Sequence, residues 1–474
     1  MSGPVQREPE VIWNQTPGCD VNVDVLVIGA GACGCCAALS ANELGADALI
    51  VERDASPAGN TSLSGGQIPG ALTQLQKEAE IADSAELLAD DLIAKARGQS
   101  DTPLARHIAA QSASTIDWLN GTIGVPLSPV DQFRYPGHSA FHMHATPAMD
   151  GSELLAALLE AVSRANIDLL TSARATTLYA DSDCRVTAVG IERPDGKIEI
   201  VGCKALVLAC NGFGGNRQML REFIPHMADA HYHGHAGNQG EAMRWGAQLG
   251  CRIADAGSYQ GHGAVITPQM IHLGWAAITE GGFQVNSDGK RFSHENEGYS
   301  EQAAKVLAQP GQIAWTIFDG RCHQVALLVH SHRDAEAVGA IRTATTVAEM
   351  AGEIGCPADE LVRTVDVVEQ MANGEASDPF GRDFSGHPSL VAPYRFAKVT
   401  GALFHTQGGL EVDIDGRVLL LDGRPSPNLF AGGGAARGLS GPSDWGYLSG
   451  SGLLTATNLG RLAGSAAARL AGYQ

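Results

Sequence analysis

Residues 25–42 carry no charged side chain, yet glycines at 29, 31 and 34 interrupt the run. An unbroken apolar stretch of this length would suit a short membrane span. The glycines, a β-branched first half (VLVI) and an alanine-rich second half instead suit a strand, a tight turn and a helix buried in one α/β unit. Gly29-Ala30-Gly31-Ala32-Cys33-Gly34 then reads as G-x-G-x-x-G at the strand–helix junction. In such a turn the first glycine makes the bend and the second lets the backbone approach a pyrophosphate. The third lets helix pack on strand, and the helix N-terminus supplies a favourable dipole. Glu52 ends the next expected strand (48–51), where a carboxylate can accept from both ribose hydroxyls. A dinucleotide site in a parallel α/β domain follows.

The chain has 474 residues, enough for roughly two to four domains. Strand-like runs at 168–179, 186–192, 198–201 and 204–210 continue the first pattern, separated by helical spacing at 83–120 and after Gly151. From 259 to 395 the texture changes to more His, Pro and loop signals, with one helix expected at 346–373. The β pattern resumes near 398 and ends in a helix around 450–470. This order predicts a polar tail at 1–21 and a nucleotide-binding domain in two parts, 22–258 and 396–474. An inserted domain at 259–395 splits it.

Thirty-two Lys and Arg against 52 Asp and Glu leave a net charge of −20, which disfavours nucleic acid and anionic lipid as partners. Of the ten cysteines, Cys33 and Cys36 have C-x-x-C spacing but sit in the expected nucleotide helix and read as packing residues, not as a redox pair; no haem motif is present. The N-terminus lacks the basic start and apolar stretch of a signal peptide, and no integral membrane segment stands out. A cytoplasmic protein with a small-molecule substrate is expected.

Past Glu52 runs Gly59-Asn60-Thr61-Ser62-Leu63-Ser64-Gly65-Gly66-Gln67-Ile68. With the glycine turn, this segment resembles the flavoprotein family of fumarate reductases, succinate dehydrogenases and 3-ketosteroid dehydrogenases. The likeness continues through 205–216, 237–250, 285–295, 404–409 and 428–464. It implies FAD as cofactor, a Rossmann-like FAD-binding domain, and an inserted α+β domain capping the flavin. By the same resemblance the FAD contacts are Gly29, Gly31, Ala32, Cys33, Gly34, Glu52, Arg53, Asn60, Thr61, Ser64, Gly65, Gly66, Ala175, Ala209, Gly433, Ser449, Gly452 and Leu453. Members with covalent flavin carry a histidine where Asn60 stands, so non-covalent FAD is expected. No second G-x-G-x-x-G lies between strand and helix, which argues against a bound nicotinamide cofactor.

Fumarate reductases of this family hold a dicarboxylate between two arginines. At the matching places stand Tyr299, after Arg291-Phe292-Ser293-His294-Glu295, and Tyr447, in 446–451. The histidine of the family's H-T-x-G-G survives as His405. Two bidentate carboxylate clamps are gone and two phenols replace them. A phenol can donate to a ketone oxygen, and a second phenol or a serine can take the α-proton while the β-hydrogen leaves as hydride. Tyr447, Ser449 and Tyr299 resemble the catalytic set of 3-ketosteroid dehydrogenases of the Δ4-(5α) type.

Desaturation of a cyclic, 3-ketosteroid-like ketone is therefore expected, with an electron acceptor that the sequence does not name. The rivals are an enone or acrylate reductase of the same fold, a fumarate/oxo-carboxylate oxidoreductase using His405 and an arginine such as Arg382 or Arg395, and a flavin-binding protein without turnover. No metal is expected, although His231, His233 and His235 alternate. His142 and His144 are expected in a loop near the flavin, and Cys33, Cys35 and Cys36 as packing residues of the nucleotide helix.

Overall fold

The computed structural model describes residues 8–474. The charge-free run forms the strand Val21–Ile28, a turn and the helix Ala32–Glu43, and the strand Ala48–Val51 follows. Val25, Leu26 and Val27 are wholly buried, as in a central strand covered on both faces. Residues 32–41 of the helix are all buried too. Their small size has a cause at the other end of the chain. The helix Ser451–Ala471 comes so close that a Cβ on Gly464 would lie 2.0 Å from the Ala37 carbonyl oxygen, and one on Gly460 2.4 Å from that of Cys33. Backbone meets backbone here.

A nine-stranded sheet carries this unit. Seven strands run Glu10–Trp13, Arg174–Ala180, Val186–Glu192, Ile198–Leu208, Val21–Ile28, Ala48–Val51, Asp168–Leu170, and Pro425–Ala431 with its partner Arg417–Leu419 completes the nine. Ile198–Leu208 is its hub. It pairs antiparallel with Val186–Glu192, parallel with Val21–Ile28 and, at residues 206–208, parallel with Pro425–Ala431. The C-terminal segment thus returns to the sheet that the first strand began.

Between these visits the chain builds a second, seven-stranded sheet, ordered Ile271–His272, Tyr259–Ile266, Tyr394–Thr406, Ile313–Phe318, Phe283–Val285. His231–Tyr232 and Arg342–Ala344 also pair with Tyr394–Thr406. The result is an α/β nucleotide-binding fold with an inserted α+β unit. Among the described residues no helix is long and apolar enough to cross a membrane.

Three details differ from the sequence reading. Of the expected tail, residues 1–7 lie outside the described residues, and Glu10–Trp13 is an edge strand on Arg174–Ala180. Its four residues are too few for periodicity to register. Tyr394–Thr406, expected to open the returning nucleotide domain, is central to the second sheet. Its apolar pattern marks a buried strand without saying in which sheet. The single helix expected at 346–373 is two, Val347–Ile354 and Ala358–Ala372. Gly355 ends the first with φ at 81°, and Pro357 caps the second.

The close helix pair gives a test. Gly464→Ala should cost about 1–3 kcal/mol through overpacking and lower the melting temperature. Gly352→Ala, in an exposed helix with open space around its α-carbon, should leave it unchanged or raised. Equal melting temperatures for the two variants would overturn the idea that backbone packing fixes this helix pair.

Candidate functional site

A cavity of about 520 Å³ runs from the glycine turn to the second sheet. At its nucleotide end Gly29 adopts φ of 108°, and a Cβ there would stand 2.5 Å from the Ala209 carbonyl oxygen. A Cβ on Gly34 would stand 1.8 Å from the Gly29 oxygen. Gly34 therefore seats the helix against the turn and does not line the cavity. The Ala30 and Asp54 amides donate to the two carboxylate oxygens of Glu52 at 2.9 and 3.0 Å. Glu52 thus braces the turn, and each oxygen retains acceptor capacity for a ribose hydroxyl. Thr61 Oγ1 accepts from the Ala32 amide at 3.0 Å, at the helix N-terminus.

Along the middle, Asn60 ties three segments together. Its Oδ1 accepts from the His235 amide (2.8 Å) and Asn238 Nδ2 (2.9 Å), and its Nδ2 donates to the Phe404 carbonyl (3.3 Å). Gly31, Ala32, Cys33, Arg53, Ser64, Gly65, Ala175, Ala209, Gly433, Gly452 and Leu453 all line the cavity, as their expected role requires. Gly66 does not. Its φ is 63° and its α-carbon packs on the Asp150 backbone, 2.8 Å from where its Cβ would be.

The far end is aromatic. The Tyr299 and Tyr447 ring centroids lie 6.2 Å apart, and Tyr135 is 6.0 Å from Tyr299. His262 stacks on Tyr299 at 5.0 Å, and Trp275 meets the same ring edge-on at 5.9 Å. Burial drives the phenol pKa values of Tyr447 and Tyr299 up, and the nearby Tyr447 and Tyr135 phenols add to the rise at Tyr299. Both phenols are thus held protonated.

His405, 5.5 Å from the Tyr447 ring, is pushed down to about 4 by burial and is neutral. Gln407 Nε2 donates to its Nδ1 at 2.9 Å, shorter than the 3.3 Å to the Thr406 carbonyl, which assigns the proton to Nε2. That Nε2 and the Tyr447 hydroxyl lie 3.0 and 3.3 Å from the Cβ position at Gly452, so both converge at the start of Ser451–Ala471. The Gly452 amide reaches the Tyr447 oxygen at 3.4 Å. Tyr447, His405 and the Gly452 amide, which converge here, are all neutral donors.

No lysine lines the cavity among the described residues, and its arginines, Arg53 and Arg174, stand at the nucleotide end. Arg382 is 4% exposed and donates to the Gly282 and Ile278 carbonyls at 2.8 Å each. Arg395 faces Glu336 at 3.7 Å. Neither reaches the site, so neither can supply the carboxylate clamp considered for it.

His142 does not itself line the cavity, although Met143 beside it does; it is clamped between Asp83 (2.7 Å) and Asp91 (2.9 Å). The two carboxylates hold it protonated against its burial. His144 bonds Thr73 at 2.9 Å. Of the alternating histidines, His233 stacks on Phe404 and His235 pairs with Asp54 at 3.0 Å. Among the described residues no three His, Cys, Asp or Glu gather as a metal site.

Tyr135, His262 and Trp275 carry no pattern in the sequence that marks them. Tyr135 sits in a long loop, and a lone histidine in the buried strand Tyr259–Ile266 reads as core.

The model of the family described as FAD binding domain matches residues 24–453. A probable fumarate reductase of Shewanella frigidimarina is 28% identical over 446 residues, covering 94% of this chain and 74% of that protein. The open form of a flavocytochrome c3 fumarate reductase superposes with a TM-score of 0.79 at 28% identity, over 96% of this chain and 79% of the other. The 3-ketosteroid-Δ4-(5α)-dehydrogenase of Rhodococcus jostii gives 0.77 at 24% identity, over 98% and 100%, a likeness of fold. The glycine turn with Glu52 and the segment from Asn60 to Gly65 fit the dinucleotide that these flavoproteins use. The chain belongs to the FAD binding domain family and is an FAD-dependent oxidoreductase of the fumarate reductase kind.

Proposed function

We propose that the chain removes two hydrogens across a CH–CH bond beside the carbonyl of a cyclic, 3-ketosteroid-like ketone. The observation that carries this is the far end of the cavity: three phenols, neutral imidazoles and a tryptophan, with no guanidinium or ammonium among the described residues. FAD, when bound, supplies the two-electron acceptor. Tyr447, kept protonated by burial, donates to the ketone oxygen, and His405 Nε2 stands beside it as a second neutral donor. Together they stabilise the charge that grows on that oxygen as the α-proton leaves. Tyr299, its ring 6.2 Å from that of Tyr447, exchanges that proton as a relay: burial denies it a standing phenolate, so it passes its own hydroxyl proton on through the Ser449 hydroxyl of the cavity wall as it takes the α-proton. The aromatic walls exclude water and match a flat apolar ring system.

A second reading runs the same chemistry backwards, reducing an enone. The relatives named as fumarate reductases favour that direction. A dicarboxylate substrate has less support. A hydrogen bond between an arginine and a carboxylate is worth roughly 1.5–3 kcal/mol, and among the described residues no arginine stands at this end of the cavity to make one.

Three outcomes test the assignment. A cyclic ketone should bleach the oxidised flavin in anaerobic stopped flow, while succinate leaves it yellow; bleaching by succinate at a comparable rate would overturn the ketone reading. Tyr447→Phe should slow that reduction about a hundred- to a thousandfold with the flavin spectrum unchanged, since the ring volume is retained. A parent-like rate would reduce Tyr447 to packing. Asn60 stands in place of the attachment histidine, so acid precipitation should release FAD into the supernatant; colour retained in the pellet would refute non-covalent binding.

A further inference from the structure

Two side chains one turn apart on the helix Ala85–Lys95 hold two segments that carry residues lining the cavity's substrate end, one with Tyr135 and Met143, the other with Tyr299. Asp91 Oδ2 accepts from His142 Nε2 (2.9 Å), the Ser139 amide (2.7 Å) and Ser139 Oγ (3.0 Å). It thereby fixes the loop from which His138 Nε2 donates to the Ser449 carbonyl oxygen at 3.1 Å. Lys95 Nζ pairs with Glu301 and donates to the Glu297 carbonyl at 3.0 Å. Glu301 is the third residue of the helix Tyr299–Leu307, and Tyr299 is its first.

The pair is sheltered. The Lys95 and Glu301 side chains are 9% and 5% exposed, against 55% and 40% for the neighbouring Arg97–Glu297 pair. Little water screens charges placed so, which makes the pair a far stiffer tie than an exposed one. The packing around it leaves no slack. A Cβ on Gly298, the residue before Tyr299, would stand 2.3 Å from Glu301 Oε2 and 2.9 Å from Lys95 Nζ.

We propose that Lys95 is a positioning residue. Through Glu301 and the Glu297 carbonyl it sets the start of Tyr299–Leu307, and with it the Tyr299 hydroxyl, against a Ser449 that the same helix holds from the other side through Asp91. The proposal rests on the reading in which Tyr299 exchanges the substrate proton. A hydroxyl displaced by about 1 Å is enough to cost on the order of a hundredfold in rate.

The test uses the FAD-loaded, full-length protein. Lys95→Met combined with Glu301→Gln removes both charges and strands neither in the interior. The limiting rate of flavin reduction by the ketone should fall about ten- to a hundredfold with the apparent substrate Kd and flavin spectrum unchanged. Lys95→Arg should keep most of the rate. Adding Tyr299→Phe should cost less in the double variant than in the parent, because Tyr299 is already displaced, while adding Tyr447→Phe should cost the same in both. Arg106→Met, which breaks the exposed pair with Asp90, should change nothing. A parent-like rate in the double variant, or an equal cost of Tyr299→Phe in both backgrounds, would overturn the proposal.

Hydrogen exchange of peptides spanning 299–307 needs no substrate. It should quicken in the double variant while 451–471 stays protected. Unchanged exchange at 299–307 overturns the tie itself. Quickened exchange in a protein whose parent no ketone reduces would leave the tie standing and remove the ketone reading instead.

Discussion

Everything at the nucleotide end depends on two backbones touching where a side chain would keep them apart. Gly34 lets the helix Ala32–Glu43 sit on the oxygen of Gly29, and Gly460 and Gly464 let the last helix sit on the first. Those close approaches align the amides of the turn, close the sheet's face and hold Gly452 and Leu453 at the cavity wall. A β-carbon at Gly460 or Gly464 would push the C-terminal helix outward, carrying its first turn away from Tyr447 and His405. Residues more than four hundred positions apart are fitted to the same few ångströms.

Such constraints are legible in a sequence because they exclude nearly every residue type. The charge-free run, its glycines and Glu52 led directly to the first strand, turn and helix, and the segment 59–68 led to the flavin family. Tyr299 and Tyr447, expected at the places where the family's fumarate reductases hold arginines, both line the cavity. Which sheet would receive Tyr394–Thr406 was not legible. A buried strand is apolar in any sheet, and only its partners distinguish one from another.

The rest of the site escaped for a related reason. Tyr135, His262 and Trp275 come from a loop, a strand and the approach to a short helix, brought together by tertiary packing alone. His142 belongs to a segment that borders the cavity, but Asp83 and Asp91, distant along the chain, engage both of its ring nitrogens. Arg382 and Arg395 look available in the sequence because their acceptors, two carbonyls and Glu336, are distant along the chain.

The convergence of His405 and Tyr447 has a thermodynamic side. His405 sits near the end of a strand of the second sheet, whereas Tyr447 precedes the last helix of the first unit. An oxygen held by both is bound to both halves of the molecule at once. It acts as a fastener between them, so ligand affinity and docking of the two halves are linked functions of one equilibrium. Whatever strengthens the union in the free protein lowers the ordering cost that the ligand must meet, and a ligand in turn stiffens the union.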